Sequence, residues 1–376
     1  MRKQVMGVLL GAAMLSVKGW AQAPSNSAGQ IRAITTAVPF LLICPDARSG
    51  GLAETGVALA PSMYSMHWNV GALAFLPERA GVAFSYTPWL RALGIGDINH
   101  FYLPAAWNIS EKAGAIGASL TFFSLGKIEF TDNAGIKTGE YDANEFAIST
   151  GYSHVITGNL SAGVALKYIQ SNLTGATTVG GLTTQPGRSV AGDLGVYYQK
   201  DVTLKVKPQP LPLTIRWGVH LSNIGAKMAY TTSGQRDFLP GNLRVGYALT
   251  LKFNEFNSLT LANDYNKLLV PSAGGAAPVA LLEGIFKSFG DAPGGWREEL
   301  SEVYWSIGVE YDYNRIFRLR GGFFYEDPMK GNRRFFTVGA GLSFRQIGLD
   351  AAYLTSLVQN HPLQNTLRFT LYYLWK

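Results

Sequence analysis

The groups in this sequence that could move protons or bind metal start with five histidines, His67, His100, His154, His220 and His361. None falls in an HExxH pattern or another i, i+4 pair that would set two imidazoles on one helix face for zinc. The carboxylates Glu298, Glu299 and Glu302 lie close together and could share a proton or a cation, but their spacing fits neither use. They are expected to form the solvated base of a loop, paired with Arg297 or Lys287. There is no GxSxG nucleophile elbow and no GxxxxGK[ST] phosphate loop. The single cysteine, Cys44, excludes an intramolecular disulfide framework and a multi-cysteine metal site. No catalytic residue, metal ligand or cofactor is therefore expected, and the sequence does not read as that of an enzyme.

The elements that would position any site point to a membrane. The 376 residues are 47% hydrophobic and 12% aromatic, only 15% are charged, and 43 are glycine. Yet no window approaches the roughly 20 apolar residues of a membrane helix. From Ala80 onward the period is two: Ile116, Ala118, Leu120 and Phe122 alternate with Gly117, Ser119 and Thr121. The same pattern places Ala162, Val164, Leu166 and Tyr168 opposite Ser161, Gly163, Ala165 and Lys167, and Phe336, Val338, Ala340, Leu342 and Phe344 opposite Thr337, Gly339, Gly341, Ser343 and Arg345. A soluble sandwich also alternates, but its outer face would be charged; here one face is apolar and the other small and polar. About fourteen such strands follow one another, with long and short connections taking turns, as in bacterial barrels whose long loops face outside and short turns the periplasm. The stretch from Lys200 to Pro212 is the exception, long where a short turn is expected.

The fold expected is thus all-β, a fourteen-stranded antiparallel transmembrane β-barrel over residues 80–376. It ends in NTLRFTLYYLWK, a closing strand that leaves no edge unpaired in lipid. Asp264, in LANDYNK, lies on a strand; because a charge facing lipid is costly, it should face the lumen and bridge to Arg318 or Arg320. The net charge of +7 is scattered, without a basic stripe for nucleic acid, and the cations are expected in the lumen and at rims facing lipid and lipopolysaccharide headgroups.

Ahead of the strands, Arg2 and Lys3, an apolar run from Val5 to Val17 and small residues at Gly19, Ala21 and Ala23 read as a secretory signal peptide over residues 1–23. Residues 24–79 are expected to form an arm and a plug. The stretch from Pro45 to Pro77 does not alternate, has glycines for close backbone approach, and carries Leu52, Val57, Leu59, Trp68, Leu73 and Phe75, too apolar for a free linker. Asp46, Arg48, Gly50, Gly51, Trp68 and Asn69 are its candidate plug residues. After the ninth strand, Ala277, Val279, Leu281, Leu282, Ile285 and Phe286 place a large apolar surface in the longest outside loop, and such patches mark contacts. Folding inward to cap the barrel is the alternative for that loop.

DARSGGLAETGVA at Asp46 to Ala58, Trp68-Asn69, NKLLVP at Asn266 to Pro271, DAPGGWREEL at Asp291 to Leu300, KGNRRFFTVGAGL at Lys330 to Leu342 and HPLQNTLRFTL at His361 to Leu371 together resemble the PorV-type outer-membrane barrels of type IX secretion, within the wider FadL-like family. Where the wider family often has Trp-Asn-Pro-Ala-Gly, this chain has Trp68-Asn69-Val70-Gly71-Ala72. The resemblance implies outer-membrane residence in a Gram-negative bacterium. It also implies engagement of a giant translocon barrel, capture of cargo by its C-terminal signal domain, and delivery to a surface attachment complex with a sortase-like protein. It adds Leu268, Leu269, Val270, Pro271 and Trp296 to the candidate contacts. Two rivals stand beside it: a FadL-like channel for hydrophobic small molecules, and an outer-membrane enzyme such as a lipid hydrolase.

Overall fold

Period-two alternation with one greasy face has a single closed solution in lipid, since every backbone N–H and C=O must be paired and no edge can be left open. A computed structural model describes residues 33–375 except 111, 132–135, 174, 176–177, 180–181, 207–208, 232–235 and 273–278. The expected signal peptide lies outside the described residues, as do the arm through residue 32 and Ala277. Fourteen antiparallel strands close into one barrel, β1 pairing with β2 on one side and with β14 on the other. They are β1 (Ala80–Pro88), β2 (Asn99–Ser110), β3 (Gly114–Thr131), β4 (Lys137–Thr157), β5 (Leu160–Asn172), β6 (Gly187–Leu204) and β7 (Leu211–Gly225). The second half comprises β8 (Asn242–Lys252), β9 (Asn257–Leu268), β10 (Tyr304–Tyr313), β11 (Phe317–Tyr325), β12 (Arg334–Phe344), β13 (Ile347–Ser356) and β14 (Thr366–Trp375). A two-residue ribbon, Thr178–Val179 with Leu182–Thr183, decorates the loop between β5 and β6.

The expected faces hold. Val164, Leu166, Val338, Leu342 and Phe344 point outward and are exposed, while Ser161, Ala165, Thr337 and Arg368 are buried. Lys200 to Pro212 is not a long turn, because β6 runs on to Leu204 and β7 begins at Leu211. The hairpin β3–β4 exceeds the 9–11 residues that a spanning strand needs. Its far end turns polar, with Lys137 bridging Glu129 at 2.7 Å and Glu140 at 2.9 Å on an exposed surface.

Residues 39–76 run inside the barrel as short helical turns: Pro39–Leu42, α1 (Ala47–Gly50), α2 (Ser65–Trp68) and Val70–Phe75. Small residues on the inner wall make the room. A Cβ at Gly322 would stand 2.7 Å from the backbone of Leu52 and Ala53, and one at Gly195 2.6 Å from the Gly71 nitrogen. Within the segment, Gly56 lies beneath the Trp68 ring, where a Cβ would come to 2.1 Å. The outer loop between β9 and β10 carries two short helices, α3 (Leu281–Lys287) and α4 (Trp296–Ser301).

Candidate functional site

The lumenal segment is fastened to the wall by specific polar contacts. Asp46 caps α1 by accepting the Ser49 N–H at 2.8 Å, and it also accepts the Trp68 indole N–H at 2.7 Å, tying α1 to α2. The Arg244 guanidinium of β8 lies 4.5 Å over the Trp68 ring, a cation–π contact from the wall. Asn69 donates to the carbonyls of Val57 (3.1 Å) and Val196 (3.0 Å) and accepts the Gly71 N–H, so the Trp-Asn-Val-Gly turn is capped by its own asparagine. Arg48 reaches Glu310 on β10 at 3.3 Å and donates to the Ala60 carbonyl. Gly50 and Gly51 are the close-approach points: a Cβ would sit 2.8 Å from Arg368 at the first and 3.0 Å from the Gly339 backbone at the second. Arg368, 1% exposed, pairs with Glu54 at 2.8 Å.

Asp264 does face the lumen, but it does not bridge to Arg318 or Arg320. Its Oδ2 accepts the backbone N–H groups of Gly56 (2.7 Å) and Val57 (2.9 Å). The register explains the correction: Asp264 stands across from Gly246 and Ser306, whereas Arg320 stands across from Glu310. Arg320 pairs with Glu310 (2.7 Å) and Asp350 (2.6 Å), and Arg318 with Asp312 (2.7 Å). A buried carboxylate that accepts backbone N–H groups leaves no sequence signal beyond its presence on a strand.

The histidines are scattered. His67, His100 and His220 are enclosed in the barrel, where the His67 Nε2 and both ring nitrogens of His100 and His220 bond to none of the described residues; His154 points outward on β4 and His361 lies in a loop. No group of three or more potential metal ligands occurs among the described residues.

At the long-loop end the carboxylates expected in a solvated loop base are drawn inward. Lys267, at the end of β9, bridges Glu299 (3.1 Å) and Glu302 (2.7 Å), and Lys330 bridges Glu298 (2.7 Å) and Glu302 (2.9 Å). Their partners are thus Lys267 and Lys330; Lys287 pairs instead with Glu283. The cluster latches α4 to the barrel rim. Burial by itself pushes the Glu302 carboxyl up, but hydrogen bonds from Lys267, Ser272 and Lys330 outweigh it and hold the group below the ordinary carboxylate value. Burial likewise opposes charge on Lys330, and hydrogen bonds to Glu298 and Glu302 raise it above the usual lysine value. The Glu302 contribution is present above the unfolded carboxylate value and is lost as pH falls through the lower folded one. The Lys330 contribution is full below the unfolded lysine value and is lost as pH rises through the higher folded one. The latch is therefore closed at neutral pH and opens on acidification below the carboxylate range. Glu302→Gln should loosen it at pH 7.5, read as about tenfold faster tryptic cleavage after Lys287 and Arg297, equivalent to about 1.4 kcal/mol and in line with a hydrogen bond to a charged group. Unchanged cleavage would mean that the latch does not hold the helices.

Both helices of the loop turn apolar side chains to solvent. On α3, Leu282 is 65% and Phe286 75% exposed, followed by Phe289; on α4, Trp296 and Leu300 are exposed. Leu281 and Ile285 are half-buried, and the Gly284 backbone packs on the Phe238 ring. Leu269 and Val270 are buried, with the Leu269 N–H bonded to the Gly241 carbonyl. They stand beside the half-buried Leu268 and Pro271. Val279 is half-buried, and its carbonyl accepts from Lys227. The loop therefore does both things considered for it, covering the rim with its first residues and exposing the helices beyond.

A family model described as type IX secretion system protein PorV matches residues 26–274, a span that holds the lumenal segment and β1 to β9 and stops ahead of α3. No curated protein matches. Among solved structures, the chain is similar to the Ralstonia pickettii toluene transporter TbuX (13% identity, 88% of this chain and 98% of that one, TM-score 0.48). It is also similar to the Pseudomonas putida toluene transporter TodX (13%, 92% and 98%, 0.48) and to a Pseudomonas aeruginosa FadL homologue (12%, 91% and 99%, 0.41). With more than half of its residues inside one family match, the chain belongs to the PorV family of type IX secretion system proteins.

Proposed function

We propose that this protein is an outer-membrane cargo-handling component of type IX secretion, which receives cargo by its C-terminal signal domain at the giant translocon barrel and passes it to the surface attachment complex with its sortase-like protein. In this reading the segment through residue 79 is a plug that keeps the lumen shut, and the chemistry belongs to partners. The observation that carries the proposal is the row Leu282 and Phe286 on α3, Phe289 just past it and Trp296 on α4, all exposed on a loop held to the rim by the packing of Gly284 on Phe238 and by the buried ion pairs of Glu302 at the end of α4. Free apolar groups on a fixed scaffold are what a docking surface needs.

A channel for hydrophobic small molecules is the less favoured reading, because the lumen is occupied by residues 39–76 and the cavity open at the short-turn end is lined largely by charged and hydroxyl groups. An enzymatic role gains no support from the scattered histidines. The test replaces Leu282, Phe286 and Trp296 with serine in the native cell. The barrel should stay in the outer membrane while surface-attached cargo falls at least tenfold. Normal cargo attachment would set the helices aside as the docking surface.

A further inference from the structure

We propose that the barrel carries a second site, independent of the outer loop: an anion-binding vestibule at the short-turn end, built for a small organic acid bearing a carboxylate or phosphate. A cavity of about 430 Å³ opens there, bounded by the ends of β6 to β11, by β13 and β14, and by residues 60–64 and 75–78, and its size falls in the range of small-molecule sites. Because short turns of bacterial barrels face the periplasm, the ligand would enter from that side.

The charges lining it do not balance. Six cations (Arg48, Arg216, Lys252, Arg315, Arg318 and Arg320) face four carboxylates (Glu78, Glu310, Asp312 and Asp350). Three of the four acids are already engaged: Glu310 by Arg48 and Arg320, Asp350 by Arg320, and Asp312 by Arg318. That leaves Glu78 against Arg216, Lys252 and Arg315, for which no salt bridge occurs among the described residues.

Arg216 is the most telling of the three. One arm of its guanidinium donates to Thr250 Oγ1 at 2.7 Å, fixing the plane, and Thr250 in turn bonds Thr260 at 2.8 Å. Its Nε is cut off from solvent and bonds to none of the described residues. That donor is closed to a ligand, but the half-buried residue is anchored through Thr250, and a planar guanidinium held in one orientation is suited to a carboxylate or phosphate. Tyr64, Phe75 and Tyr372 add aromatic surface to the same cavity, so the ligand that fits has an apolar or aromatic body behind its anionic head.

The experiment uses the full barrel in detergent and isothermal titration calorimetry with phenyl phosphate and benzoate as probes, and benzyl alcohol as the uncharged counterpart. At least one anion should bind saturably, the tighter of the two identifying the head group, and benzyl alcohol should not. Arg216→Gln combined with Lys252→Gln should weaken that binding at least tenfold, and Arg216→Lys, which keeps the charge and loses the planar fork, should fall between. Lys252→Gln alone, at an exposed strand end where folding is not at stake, should weaken it about threefold. Absence of saturable binding of either anion, equal affinity in native and neutralised barrels, or equal binding of benzyl alcohol would overturn the proposal.

Discussion

Arg320→Leu is expected to cost the barrel about 3–5 kcal/mol, the range for removing one partner from a buried ion pair. The Arg320 side chain is 1% exposed and holds two acids at once, Glu310 at 2.7 Å and Asp350 at 2.6 Å. Its loss leaves Asp350, 2% exposed, without a salt bridge among the described residues, and leaves Glu310 to Arg48 alone. The damage should spread to the lumenal segment, since Arg48 belongs to α1 and shares Glu310 with the wall. Guanidinium unfolding in lipid vesicles gives the readout. Arg320→Leu combined with Asp350→Leu should recover part of the loss, because removing both charges removes the uncompensated one. A single variant as stable as the native barrel would mean that water reaches the triad and screens it.

The second large effect is expected at Asp264. Asp264→Ala deprives two buried N–H groups, those of Gly56 and Val57, of their acceptor. At about 1–3 kcal/mol for each orphaned donor, the lumenal segment should loosen by about 2–6 kcal/mol while the strands, paired along their whole length, stay closed. Hydrogen exchange followed on peptides covering residues 50–60 should speed up by about thirtyfold or more, with the strand amides unchanged. Asp264→Asn, which keeps one acceptor oxygen, should fall between. Exchange at native rates in the alanine variant would show that other contacts, such as those of Asn69 and Arg368, hold the segment without it.

How much of this could be foreseen depended on whether a feature is local. Lipid on one face imposes a strict period of two, so β5, β12, β14 and the Ile116–Phe122 stretch of β3 were legible residue by residue, while the extension of β3 to Thr131 was not foreseen. The closing strand was visible in the alternation of Leu367, Phe369, Leu371 and Trp375, all of them exposed. The end of β6 from Lys200 to Leu204 was missed, and Pro212 is accommodated in β7 opposite Thr203. What stayed hidden were partners far apart in sequence. Asp264 meets Gly56 only because barrel closure fixes the register of the wall, and the lumenal chain then threads past that wall. Lys267, Glu302 and Lys330 meet because a loop folds back on the rim. Leu269 and Val270 were apolar enough to be contacts, and hydropathy alone could not say that the rim would cover them. Phe289 and Leu300, exposed beside the foreseen Phe286 and Trp296, follow from the helical spacing of the loop once its helices are known.

The measurement that bears most directly on the cargo-handling account is a gentle-detergent pull-down of the tagged protein from outer membranes, with mass spectrometry of everything retained, comparing the native chain with one carrying serine at Leu282, Phe286 and Trp296. The native chain should retain a giant barrel or proteins sharing a C-terminal signal domain, and the substituted chain, still folded and still in the outer membrane, should lose them. Retention of neither by the native chain, with hydrophobic small molecules copurifying instead, would contradict the cargo-handling account.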